Sequence, residues 1–262
     1  MKKILLIALG AVCSVHTSAQ ENLAMIADSI RAEGMLLYQH IQICKTGIEL
    51  IEADTTGRVS LRASDYLSYR NGQEFTLIMP HRGSSQNPVV TSFRFDASGR
   101  PQTAHMEVGR HMTAQETAIW ELWNLVTDML KTDPGFKKVR DTYFSVVPIV
   151  EGNTRKVYVM SVPVRSNVFV LGNDYLLEFD QNNTLVNRTE FHTNPLMVPH
   201  GRKSSGHIHG KSNSPYISAT DICTLMLYPK AFDQPSLRVV SPTHVSEWDM
   251  ASNTLYIEPR MN

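Results

Sequence analysis

The chain has 262 residues, 42% of them apolar, with 25 basic and 25 acidic side chains, so it is formally neutral at pH 7. That length fits one large domain or two small ones, and the apolar share suffices for a core. The absence of a basic excess argues against a nucleic-acid partner, whose phosphates are usually met by a positive stripe.

The chain opens on Met1-Lys2-Lys3, followed by the apolar run Ile4–Val12 and the small residues Thr17-Ser18-Ala19. A positive start, a short apolar stretch and small residues at a cleavage point form the pattern of a secretory signal peptide, with cleavage expected after Ala19. The run is too short to anchor in a bilayer, and no later stretch approaches the ~20 apolar residues of a membrane helix. The expectation is therefore an exported protein, periplasmic or secreted, that is not integral to a membrane. Residues 1–19 hold two lysines and no carboxylate, which leaves 23 basic and 25 acidic residues after cleavage. Cys44 and Cys223 then remain, and export permits a disulfide between them. Each lies in an apolar helical pattern, which suits a buried thiol equally well.

Residues 21–53 predict a helix, because Ile26, Ile30, Leu37, Ile41, Cys44 and Ile48 recur near the helical period. Asp54-Thr55-Thr56-Gly57 breaks it. Phe75–Met79 and Val89–Asp96 read as strands, and Ala97-Ser98-Gly99-Arg100 as the turn of a hairpin into residues 101–108. Residues 113–131 predict a second helix, with Thr113 and Glu116 as a capping box and Ile119, Trp120, Leu122, Trp123, Val126, Met129 and Leu130 as its apolar face. Asp133-Pro134-Gly135 ends it.

Past Gly135 the chain becomes β-rich, with runs at Tyr143–Val150, Lys156–Val164, Asn167–Asp180 and Thr184–Phe191. Within the third run, Gly172-Asn173-Asp174-Tyr175 reads as a turn. A helix is expected over about Ala219–Ala231, then strands at Leu237–Trp248 and Thr254–Glu258. A soft boundary near 134 separates an N-terminal helical and β region, 20–133, from a mixed-sheet region, 134–262. The fold class is α/β in the α+β sense: a mixed β-sheet with packed helices.

One cluster carries chemistry. His207-Ile208-His209 places two imidazoles on one face of a strand, a spacing that fills two corners of a tetrahedral zinc site. Asp221 offers an oxygen ligand twelve residues after His209, and Ser218 precedes it by three. Ser218-Ala219-Thr220-Asp221 also has the form of a capping box that only starts a helix.

His207-x-His209, eight residues, Ser218, two residues, Asp221 resembles the JAMM motif of the JAB/MPN metalloprotease family, over about residues 140–262. The resemblance implies a JAB/MPN-like mixed sheet, zinc held by His207, His209 and Asp221, and Ser218 stabilising an oxyanion. It also implies a general-base glutamate from an earlier strand, for which Glu151 is the first candidate and Glu178 and Glu190 are others. The implied activity is zinc-dependent hydrolysis of an amide bond in a peptide or protein substrate. Gly210 stands where the family has proline, and no glutamate is singled out by context. The alternative is a non-catalytic exported binding protein whose site is degenerate or metal-free. His192, His200 and His244 are further histidines that can supplement a metal site only if they converge on it.

Overall fold

The structure is a computed structural model that describes residues 4–53, 65–80, 89–165, 168–192, 195–199, 207–208, 213–229 and 235–261, with the backbone alone for 4–21, 89–90, 103–108 and 207–208. Helices and largely antiparallel sheets make an α+β fold, as the residue patterns predict. No helix among the described residues is long and apolar enough to cross a membrane.

The chain forms two compact units, each assembled from separate stretches, so neither corresponds to a single cut near 134. Residues 36–164 and 173–190 make one unit, and residues 1–35, 165–172 and 191–262 make the other. Helix α1, Ile4–Ala53, is continuous across the division; it starts well before residue 21, where the apolar period begins.

The first of these units holds two four-stranded antiparallel sheets. Strands β1 (Leu67–Asn71), β2 (Glu74–Pro80), β3 (Val89–Phe95) and β4 (Pro101–His111) form a meander in chain order. Strand β1 escapes the alternation rule because its residues are mixed; it is defined by pairing with β2 across a turn in which Gly72 takes φ +63°. Ile43, Ile51, Phe75, Leu77, Met79 and Phe95 are buried together where α1 covers this sheet. The second sheet has the order β5 (Thr142–Glu151), β6 (Thr154–Pro163), β8 (Tyr175–Phe179), β9 (Leu185–Glu190).

Helix α2, Ala114–Thr132, begins with the expected capping box: Thr113 Oγ1 accepts from the Glu116 N–H, and Glu116 Oε2 accepts from the Thr113 N–H at 2.8 Å. Glu116 is buried and also receives Arg110 at 2.6 and 2.7 Å and the Tyr69 hydroxyl at 2.9 Å. Ile119 joins Leu67 and Ile78, with the stacked rings of Trp120 and Trp123 packed against them. Leu122 and Val126 face Val157, Val159, Tyr175 and Leu177 of the second sheet.

The run at 167–180 is two strands in different sheets. Strand β7, Val168–Leu171, pairs with β10, Leu196–Pro199, in the other unit. The break is local: Gly172 and Asn173 take φ +86° and +61°, and Asp174 accepts the Ser161 N–H at 2.8 Å. In the same unit, β11 (His207–Ile208), β12 (Ser236–Val240), β13 (His244–Asp249) and β14 (Thr254–Pro259) form a sheet in chain order. The single strand expected over 237–248 is thus a hairpin, because Pro242 has no N–H for the ladder and Ser241 Oγ accepts from the Thr243 and His244 N–H groups. Strands β11 and β12 are parallel, and α3, Ala219–Leu227, connects them. Helix α3 stops at Leu227, four residues short of the expected end, because Pro229 disfavours helical backbone at Tyr228. Its Ile222 and Leu225 are buried with Ala27, Phe169, Val198, Leu237 and Trp248.

Candidate functional site

Asp221 sits at the third position of α3, and its carboxylate turns back onto the helix start. Asp221 Oδ2 accepts the Ser218 N–H at 3.1 Å and the Ser218 hydroxyl at 2.8 Å, while Ser218 Oγ accepts the Asp221 N–H at 3.1 Å. The capping box read in the sequence is therefore closed in both directions. Thr220 Oγ1 lies 2.9 Å from Ser218 Oγ, and all three side chains are buried. The Ser218 hydroxyl proton is directed at Asp221, not at a site where an oxyanion would form.

His192 approaches the same carboxylate from before β10. Its Nε2 stands 3.2 Å from Asp221 Oδ2, and both side chains are nearly excluded from solvent. Gly172 makes room for this ring: a Cβ there would lie 2.9 Å from His192 Cβ and 3.0 Å from Cγ. Burial pushes the Asp221 carboxyl up, but the charge of His192 and the hydrogen bonds from His192 and Ser218 outweigh it and hold Asp221 below the usual carboxylate range. The result is a buried, ionised acid with an imidazole beside it.

The other predicted site residues are distributed as follows. His207 lies on β11, its backbone in register with Arg238 of β12. His209 and His200 lie outside the described residues. His244 opens β13, with Nδ1 2.8 Å from Thr243 Oγ1 and its ring 4.9 Å from that of Tyr216. Glu151 belongs to the other unit, where Arg70 holds both its oxygens at 2.9 Å. Glu178 accepts from Asn187 at 2.8 Å and Glu190 meets Lys137 at 3.5 Å, again in that unit. None of the three candidate bases shares a unit with Ser218 and Asp221. Among the described residues, no group of three His, Cys, Asp or Glu side chains is placed to hold a metal. Cys44 and Cys223 are thiols, not a disulfide.

The sequence singled out Asp221 but treated His192 as one of several spare histidines. Nothing in its local spacing marks it, since the contact comes from a residue ahead of β10 meeting the start of a helix much later in the chain. Comparison with known proteins finds no matching family model, no matching curated protein and no matching solved structure.

Proposed function

We propose that the chain is an exported zinc-binding, hydrolase-like protein whose site is built on β11, α3 and the segment carrying His192, with His207, His209 and Asp221 as ligands. The observation that carries this reading is the buried, ionised Asp221 carboxylate, held by Ser218 and His192 at the start of the helix that follows β11. The donor set is imidazole and carboxylate, which suits zinc. The parallel β11–α3–β12 arrangement adds support, because it carries His207 on a strand and Asp221 at the start of the helix that follows. Zinc in such a site supplies a hydroxide-forming water and a Lewis acid for an amide carbonyl. The chain's own part is to hold Asp221 ionised and oriented through Ser218 and His192, and the substrate class is a peptide or protein amide.

A second reading is favoured by the closed capping box. Here Ser218 and Asp221 only start α3, His192 neutralises the buried carboxylate, and the protein is a metal-free exported binding protein. Elemental analysis of the purified mature protein separates the two. One zinc per chain, lost in His209→Ala and in His192→Ala, supports the first. A chain that takes up no zinc at neutral pH while remaining folded leaves the second. Peptidase activity that appears only in the zinc-loaded protein makes the site catalytic; zinc without activity makes it structural.

A further inference from the structure

The unit formed by residues 36–164 and 173–190 contains a pocket of about 540 Å³ that plays no part in the proposed zinc site. Ile41, Lys45 and Ile48 supply one wall from a single face of α1, and Trp123 of α2 adds an aromatic ring. Exposed Lys45 and Glu49 stand at its rim, so the opening carries no net charge. Two strands also line it, through Leu67 and Ser68 of β1 and through Ser145, Val146, Val147 and Pro148 of β5. Successive side chains of a strand point to opposite faces, so a pocket touched by four successive residues of β5 lies against the edge of that strand and not over one face.

Both strands are sheet edges. Strand β1 pairs only with β2 and β5 only with β6, and no backbone hydrogen bond joins β1 to β5 among the described residues. Arg70 of β1 donates twice to Glu151 of β5 at 2.9 Å, which ties the two edges at one end, and the pocket lies along the preceding residues of both. The ladder decides which main-chain groups of β5 face outward. Ser161 of β6 stands opposite Phe144 of β5, yet it gives its N–H to Asp174 Oδ1 at 2.8 Å, and Asp174 precedes β8 on the other side of β6. Phe144 and Ser161 are therefore a pair without ladder hydrogen bonds, and the alternation of an antiparallel ladder makes Val146–Val159 and Pro148–Val157 the same. Pro148, which has no N–H, thus occupies a position where the ladder needs none. The N–H and C=O of Val146 point away from β6, at the edge that lines the pocket, and neither has a backbone partner among the described residues. Val146 and Ser145 are half-buried and Tyr143 is 51% exposed, so this stretch of edge is open.

We propose that the pocket receives an extended, uncharged, apolar peptide segment, which adds to the edge of β5 through the main chain of Val146 and places an apolar side chain among Ile41, Ile48 and Trp123. Strand addition draws affinity from main-chain hydrogen bonds and selectivity from pockets for alternate side chains. The uncharged class follows from the balanced rim and the apolar wall of α1.

Calorimetric titration of the mature protein with the end-capped peptide Thr-Val-Phe-Val-Thr, and with the same peptide N-methylated at its three central residues, tests this. The two probes share their side chains and differ in main-chain donors. The expected result is saturable one-to-one binding of the parent peptide, with the methylated one about tenfold weaker or more, as the loss of two hydrogen bonds predicts. Val146→Pro removes the outward N–H and leaves the β5–β6 ladder intact; it weakens the parent peptide about fivefold or more with an unchanged circular dichroism spectrum. Absence of saturable binding, equal affinity for the two peptides, or unchanged affinity in folded Val146→Pro overturns the proposal. Self-association of the peptide-free protein in sedimentation, abolished by Val146→Pro, also overturns it, because the edge then belongs to a second copy. Should Val146→Pro fail to fold, the peptide pair decides alone.

Discussion

Asp221 loses its water on folding and keeps its charge, because two hydrogen bonds from Ser218 and one imidazole replace the solvent. Asp221→Asn is expected to destabilise the protein by ~2 kcal/mol, since it leaves His192 and the Ser218 donors facing a weaker acceptor. Urea unfolding followed by circular dichroism measures it, and a change near zero would mean that the pair contributes little. The depressed pKa of Asp221 also has a sign. The unfolded chain takes up the proton first, so the stabilisation is complete above the ordinary carboxylate value, near 4, and is lost as pH falls through the lower folded value. Glu116 behaves the same way, because Arg110, the Thr113 N–H and Tyr69 outweigh its burial. His40 acts at higher pH. Its folded value of about 4 lies below the 6.5 of a free imidazole, so the unfolded chain binds the proton between these limits. Stability is expected to fall by on the order of 3 kcal/mol as pH drops from about 6.5 to 4. In His40→Phe the decline should start only where the carboxylates titrate; an unaltered pH profile in that variant would remove His40 as its cause.

At the scale of elements, close approach depends on glycines at several positions, Gly34 and Gly172 among them. Gly34 lets α1 lie against α3: a Cβ there would stand 2.8 Å from Ile222 Cβ and 3.0 Å from the Ala219 carbonyl oxygen. Both obstacles are near or part of the backbone, so they cannot swing aside. Gly34→Ala is expected to cost ~1–3 kcal/mol by overpacking, despite alanine's better helix propensity. Thermal unfolding measures this, and a rise in Tm would show that α1 shifts freely over α3. Gly172 has both a positive φ and the His192 ring against its missing Cβ. If the proposed zinc site is present, Gly172→Ala is expected to displace His192 and reduce zinc uptake more than it reduces stability, an ordering that parallel zinc titration and urea unfolding check.

At the scale of the whole molecule, α1 joins the export question to the fold. It runs unbroken from Ile4 to Ala53, and Ala27 is the first of its described side chains buried in a core cluster. Cleavage after Ala19, which we propose from the signal pattern, would leave the part of α1 from Ala27 onward intact. Intact-mass measurement of the protein recovered from the periplasm of a Gram-negative host should give a chain beginning at Gln20. Recovery of the uncleaved chain from the cytoplasm alone would refute export.

Patterns of short range were legible in the sequence. The capping boxes at Thr113/Glu116 and Ser218/Asp221, the face of α2 and the turns at Gly99 and Gly172 depend on residues within a few positions of one another. The α+β class follows from the same local periods. Contacts between distant segments were not legible. That Asn167–Asp180 divides between two sheets, that His192 rather than a glutamate meets Asp221, and that Ser68 and His40 shape one pocket are pairings across long stretches of chain. Hydrogen-bonding capacity and hydrophobic period state what a residue requires, and many partners can satisfy that requirement. Which partner does so was decided only when the sheets and helices packed.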